Sequence, residues 1–140
     1  MLLTSLTVIE SAIRAGWSQD TCDPVDLPGW TPTNPARGQC GVTALVVHDL
    51  LGGRLLVAEV VRSDGSRQGV HWWNRLLAGV EVDLTREQFT DDEFVQAPEE
   101  VERPPGEPRR LREQYRLLRD RVDETLGLRR PRCAGNSTAT

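Results

Sequence analysis

Apolar and polar positions follow several distinct rhythms along this chain. In MLLTSLTVIESAIRAGW, Leu2, Leu6, Ile9 and Ile13 recur at helical spacing, with Thr7, Glu10 and Arg14 on the other side. That pattern predicts an amphipathic helix packed on a core. Residues 41–51 are apolar almost all round and predict a central buried helix, stopped by Gly52-Gly53. RLLVAEVV (54–61) has the β-branched content of a strand, and SDGSRQG after it is turn chemistry. VHWWNRL (70–76) and VEVDLT (80–85) predict two further strands around a short LAG connection. Leu111, Tyr115, Leu118, Val122 and Leu126 mark one face of a final helix. This stripe is expected to dock on the core, with a homodimer surface as the alternative.

Three stretches break the rhythm. Residues 18–38, SQDTCDPVDLPGWTPTNPARG, form a long Pro-, Gly- and Asp-rich loop expected to lack regular structure. Loops of that length in a compact domain are usually functional or disordered, and Trp30 within it points to a loop anchored on the fold. Residues 97–108 are Pro- and Glu-rich, a linker or an extended edge. RRPRCAGNSTAT (129–140) has the composition of a disordered tail. Helix, helix and then an antiparallel meander is an α+β order, here as one domain over residues 1–128. No internal repeat is present.

Composition narrows the function classes. The chain has 140 residues and a net charge of -4, with no lysine, and its arginines cluster only near the C-terminus. That is not the basic field of a nucleic-acid binder. The opening segment lacks a basic n-region and is too short and polar for a membrane span. The expected compartment is the cytoplasm. Three cysteines, an odd number without a C-x-x-C pair, argue against a disulfide framework, and Cys133 falls in the polar tail.

The candidate chemistry starts at RGQCGVTALVVHDLLGG (37–53), which puts Cys40 at the mouth of the buried helix. Unpaired N–H groups and the helix dipole favour an anion there, so a lowered thiol pKa is expected. His48 lies eight residues up the same helix, roughly 12 Å along its axis, too far to take the thiol proton. His71 is the remaining histidine. With the hairpin centred on Leu77, Trp73 faces Glu81 and His71 lies directly opposite Asp83, within reach of an imidazole N–H. Cysteine, histidine and aspartate so arranged form an activated thiol nucleophile, able to rest as a thiolate–imidazolium pair. The Cys40 backbone N–H and Gln39 are the oxyanion candidates. Trp30, Trp73 and Arg86 are the candidates for substrate binding, Arg86 toward a carboxylate. Asn74 is the alternative orienter of His71. Phe89 is expected to pack inward, and Cys22 either resolves Cys40 as a second thiol or fills a gap under the loop. A metal site from Cys22, Cys40, His71 and Asp20 or Asp83 lacks the close-spaced ligand pairs of zinc sites, so no metal or cofactor is expected.

NPARGQCGVTALVVHDLLGG, GVHWWNR and VEVDLTREQF together resemble the YunG-like family of small bacterial proteins, and the likeness runs from AGWSQDTC to EQYRLLRDRV. HWWN stands where that family mostly has HYWN. The Cys-His-Asp order is also similar to that of transglutaminase-like and arylamine N-acetyltransferase proteins of the papain-like superfamily. This second resemblance implies a nucleophile helix packed on an antiparallel sheet, and by analogy a triad of Cys40, His71 and Asp83. The expected function is cysteine-dependent acyl transfer on a small-molecule or peptide acyl substrate, to water or to an amine. The alternative is a non-catalytic small-molecule or protein binding module on the same scaffold, and beside it stands the metal site.

Overall fold

A computed structural model describes residues 5–128. Leu2 of the first apolar stripe and the tail 129–140 with Cys133 lie outside those residues. Helix α1, Leu6–Gly16, starts at Ser5, whose hydroxyl accepts the Val8 N–H, and buries Ile9, Ala12, Ile13 and Gly16. Ile9 and Ile13 of the expected stripe lie on this buried face, whereas Leu6, in the first turn, is exposed. A Cβ at Gly16 would stand 2.8 Å from Leu118 Cδ1, so α1 packs closely on the last helix there and a side chain would require Leu118 to shift. Helix α2, Cys40–Leu51, buries Val42, Thr43, Ala44, Val46 and Val47. Helix α3, Arg112–Leu126, buries Tyr115, Leu118 and Val122. The three helices share one core with Val82 and Leu84, and Leu111 and Leu126 pack against it. The α3 stripe therefore docks on this core.

The sheet is antiparallel at every pairing. Strand β1 (Arg54–Arg62) lies between β2 (Arg67–Arg75) and two short strands, β4 (Glu93–Val95) and β5 (Glu99–Val101). β4 pairs with Val60–Arg62 and β5 with Leu55–Val57, so the two share one edge end to end. β3, Glu81–Val82, closes the other side. Residues 97–108 thus supply an extended edge over part of their length, while β4 falls where no strand was expected.

One register differs from the sequence expectation. The observed pairs are Asn74↔Val82 and Arg75↔Glu81, which centres the turn on Ala78 instead of Leu77. Leu76 N–H bonds Val80 O at 2.8 Å, leaving three residues in the turn, and Gly79 supplies the left-handed backbone at φ 83°. The shift amounts to two residues on one strand, so facing parity survives. The strand VEVDLT is also shorter than expected, since the chain leaves the sheet after Val82.

Paired residues share a sheet face. Asn74 and Val82 face the helices, and the Asn74 side-chain amide bonds the α2 carbonyl of Ala44 at 2.9 Å. His71, Trp73, Leu56 and Ala58 face the other way. All four are buried, and the segment after β3 folds beside them. The loop 18–38 is not without regular structure: it holds two 3-10 helices, Gln19–Thr21 and Pro24–Gly29.

Candidate functional site

His71 is fully buried, and its Nε2 lies 2.7 Å from Asp83 Oδ2. The contact is diagonal across the β2–β3 junction, because the turn moved the register while preserving the face. An ionised carboxylate only accepts, so Nε2 carries a proton in this contact. Nδ1 is buried without a hydrogen-bond partner, as is Asp83 Oδ1. The imidazole is held flat by its neighbours: Trp73 stacks at 5.2 Å and Phe89 packs edge-on at 4.7 Å. Phe89 does pack inward.

Arg86 completes this half of the site. Its Nε donates to Asp83 Oδ2 at 2.7 Å, and its guanidinium lies 5.2 Å over the Trp73 ring. The expectation that Arg86 waits for a substrate carboxylate gives way to one in which Asp83 already occupies it. Trp73 is buried between His71 and Arg86, and its indole N–H reaches Glu81 at 3.3 Å. It walls the imidazole and presents little open surface. Asn74, committed to Ala44, is not the orienter of His71.

The other half is the mouth of α2. Cys40 is its first residue, only partly buried, and no side chain caps the helix start. The backbone N–H of Trp72 is directed at its sulfur. The expected low thiol pKa is not found. Burial pushes the Cys40 thiol up to about 11, and Asp26, Asp83 and Asp23 add to the rise against the one amide that opposes it. A helix mouth is a weak field against desolvation and three carboxylates. Cys40 therefore rests as a neutral thiol, and with Nδ1 unpartnered there is no resting ion pair between Cys40 and His71.

The loop ahead of Cys40 is fixed by residues whose roles have no periodic signal. Gln39 is fully buried, its Oε1 accepting from the Thr21 hydroxyl at 2.7 Å and its Nε2 donating to Ser18 O at 3.0 Å. This anchoring leaves one amide proton of Gln39 for the oxyanion role expected of it. Gln88 ties the histidine half to the cysteine half: its Oε1 accepts the Gly38 N–H at 3.1 Å, and its backbone carbonyl accepts from Asn34 at 3.0 Å. Gly38 has φ 73°, and a Cβ there would stand 2.4 Å from Cys22 Sγ. Cys22 is buried under the loop with its sulfur 3.3 Å from the carbonyls of Asp23 and Arg37, and burial pushes its thiol up to about 12. That is the gap-filling role.

Trp30 lies in the same loop, its indole N–H bonded to Pro35 O at 3.1 Å, and its ring makes no contact with His71. His48, near the far end of α2, is 3.2 Å from Arg103. No group of three or more His, Cys, Asp or Glu among the described residues is placed to hold a metal ion.

Fold and site together define a small α+β protein with a helix-mouth cysteine beside a strand that carries an aspartate-held histidine. The chain belongs to the YunG protein family, whose sequence model matches residues 5–127. It is similar to the uncharacterized protein YunG of Bacillus subtilis (strain 168), 32% identical over 117 residues that cover 80% of this chain and 86% of that protein. No solved structure matches it. Among the described residues no helix is long and apolar enough to cross a membrane.

Proposed function

We propose that this protein is a cysteine-dependent acyl-transfer enzyme of the papain-like/transglutaminase-like kind, in which a neutral Cys40 thiol is activated by His71 only when substrate is bound. The observation that carries the reading is the His71 ring. Its Nε2–H is tied to Asp83, and its Nδ1 is buried without a hydrogen-bond partner. A buried polar atom without a partner costs about 1–3 kcal/mol, and such groups concentrate where a ligand or reacting group completes them.

Nδ1 takes the thiol proton as Cys40 Sγ bonds to the acyl carbon. The tetrahedral adduct collapses with cleavage of the C–N, C–S or C–O bond, and the imidazolium returns the proton to the leaving group. Water or an amine then attacks the thioester, His71 takes its proton, and the thiol is regenerated. Asp83, braced by Arg86, holds the tautomer throughout. The Cys40 backbone N–H, at the uncapped start of α2, and the remaining amide proton of Gln39 are the oxyanion donors.

The test is acylation of Cys40 by p-nitrophenyl acetate and by small acyl thioesters, with the adduct mapped by peptide mass and its turnover followed. Wild type is expected to form and clear the adduct, and Cys40→Ala to form none. His71→Ala should be slower by about 10²–10⁴. An adduct that forms equally fast in His71→Ala defeats the proposal. The raised thiol pKa favours one second reading, a binding module with an unreactive cysteine. Its signature is ligand binding that survives Cys40→Ala without any acyl adduct in wild type.

A further inference from the structure

The edge of β2 that faces away from β1 is covered only where β3 pairs with Asn74 and Arg75. Because β3 is two residues long, no strand among the described residues lies beside β2 from Gln68 to Trp72. Backbone groups alternate between the two sides of a strand, and in β2 the even-numbered residues turn outward. Two contacts fix this parity: Leu76 N–H runs out to Val80 O, and Trp72 N–H is directed at Cys40 Sγ. The N–H and C=O of Val70, two residues back along the same edge, are therefore open. Val70 is 40% exposed, and a Cβ at Gly69 would meet nothing within 4 Å.

Exposed edges are normally blunted by charge, by proline or by covering elements. The segment QGVHW (68–72) carries no charged residue and no proline. The register with β1 shifts between Val60 and Val61, which leaves Gln68 unpaired, and from Val70 onward the outward groups recur every two residues, about 7 Å apart, a spacing that another polypeptide backbone matches. The open edge ends at the sulfur of Cys40.

We propose that the acyl donor is an extended polypeptide segment that pairs with β2 over Val70–Trp72 and so brings a backbone carbonyl to Cys40. This rests on the acyl-transfer reading above and names its substrate class. Pairing fixes the carbonyl relative to the thiol through backbone contacts, so recognition begins with chain conformation, and side chains refine it.

The experiment compares inactivation of the full chain by acetyl-Ala-Ala-Ala-chloromethyl ketone and by chloroacetone, with N-acetylcysteine as the free-thiol reference. The ratio of the two rate constants should exceed the N-acetylcysteine ratio by about tenfold or more. Val70→Pro removes the outward N–H at a position where strands tolerate proline and should return the ratio to the reference. Backbone hydrogen exchange of wild type supplies an independent readout that needs no variant. The Val70 amide should be protected in the peptidyl adduct and not in the chloroacetone adduct. A ratio equal to the reference, or no added protection of the Val70 amide, overturns the proposal and leaves a small-molecule acyl donor. Failure of the acyl-transfer reading shows elsewhere, as p-nitrophenyl acetate acylation that does not depend on His71.

Discussion

At the scale of single residues, the site turns on where protons sit. Asp83 fixes the His71 proton on Nε2, so Asp83→Asn admits the opposite tautomer and removes the base from Nδ1. Acylation of Cys40 should fall by about 10²-fold or more in that variant, measured against unchanged thermal stability. Arg86→Ala should fall less, because the Arg86–Asp83 pair is half-exposed and surface pairs contribute about 1 kcal/mol at most. The thiol obeys the same electrostatics. Asp26→Asn removes one of the charges that raise the Cys40 pKa, so iodoacetamide should alkylate Cys40 faster in that variant at mildly alkaline pH. No acceleration would mean that Asp26 does not contribute to the raised thiol. Cys40, His71 and Asp83 were legible as residues in the sequence because strand parity confines His71 and Asp83 to one face. The thiol's ionisation was not. Asp23 and Asp26 sit in a 3-10 loop whose sequence gives no period from which to place them near the sulfur.

Among the elements, the segment 83–95 and the loop 18–38 hold the two halves of the site together through Gln88 and Gly38. Gln88→Ala leaves the buried Gly38 N–H unpaired and should cost about 1–3 kcal/mol of stability in urea unfolding. Acylation should slow with it, because Gly38 is two residues from Cys40. Gly38→Ala should be at least as damaging, since φ 73° and the 2.4 Å approach to Cys22 both exclude a side chain. Pairing it with Cys22→Ala should recover part of the loss, which a double-mutant cycle reads directly. The long helices and the β1–β2 hairpin were legible because each buries a periodic stripe. β4 was not, since a three-residue edge strand reading EFV carries too short a pattern to register, and β5 was legible only as a linker or an extended edge. The β2–β3 turn was misplaced by one residue for a similar reason. LAG admits more than one loop closure, and only the left-handed Gly79 settles which is used.

For the whole molecule, folding holds protons on two thiols well above the ordinary range. Their folded values are about 12 for Cys22 and about 11 for Cys40, against about 8.5 for a thiol in an unfolded chain. The stability they contribute is complete below the unfolded value and is lost as pH rises from there through the folded values. Burial raises the Tyr115 hydroxyl as well, which acts in the same direction. Thermal unfolding followed at about pH 8 and about pH 10.5 should show a falling midpoint, with a shallower fall in Cys22→Ala. A midpoint independent of pH over that interval would contradict the burial of both thiols. The curl that sets Cys40 at the open edge of β2 lies in this scale too. It follows from a two-residue β3 that lets the chain leave the sheet at Asp83, which an alternating run such as VEVDLT conceals.

The central claim is that a thiol protonated at rest loses its proton to His71 during attack. The most direct measurement is the rate of Cys40 acylation by p-nitrophenyl acetate at neutral pH in H2O and in D2O, for wild type and His71→Ala. The account predicts a rate that falls in D2O for wild type, because proton transfer to Nδ1 accompanies attack, and a much slower reaction in His71→Ala that depends on pre-ionised thiol. A wild-type rate that is fast and unchanged in D2O would mean a resting thiolate, and the neutral-thiol mechanism would be wrong.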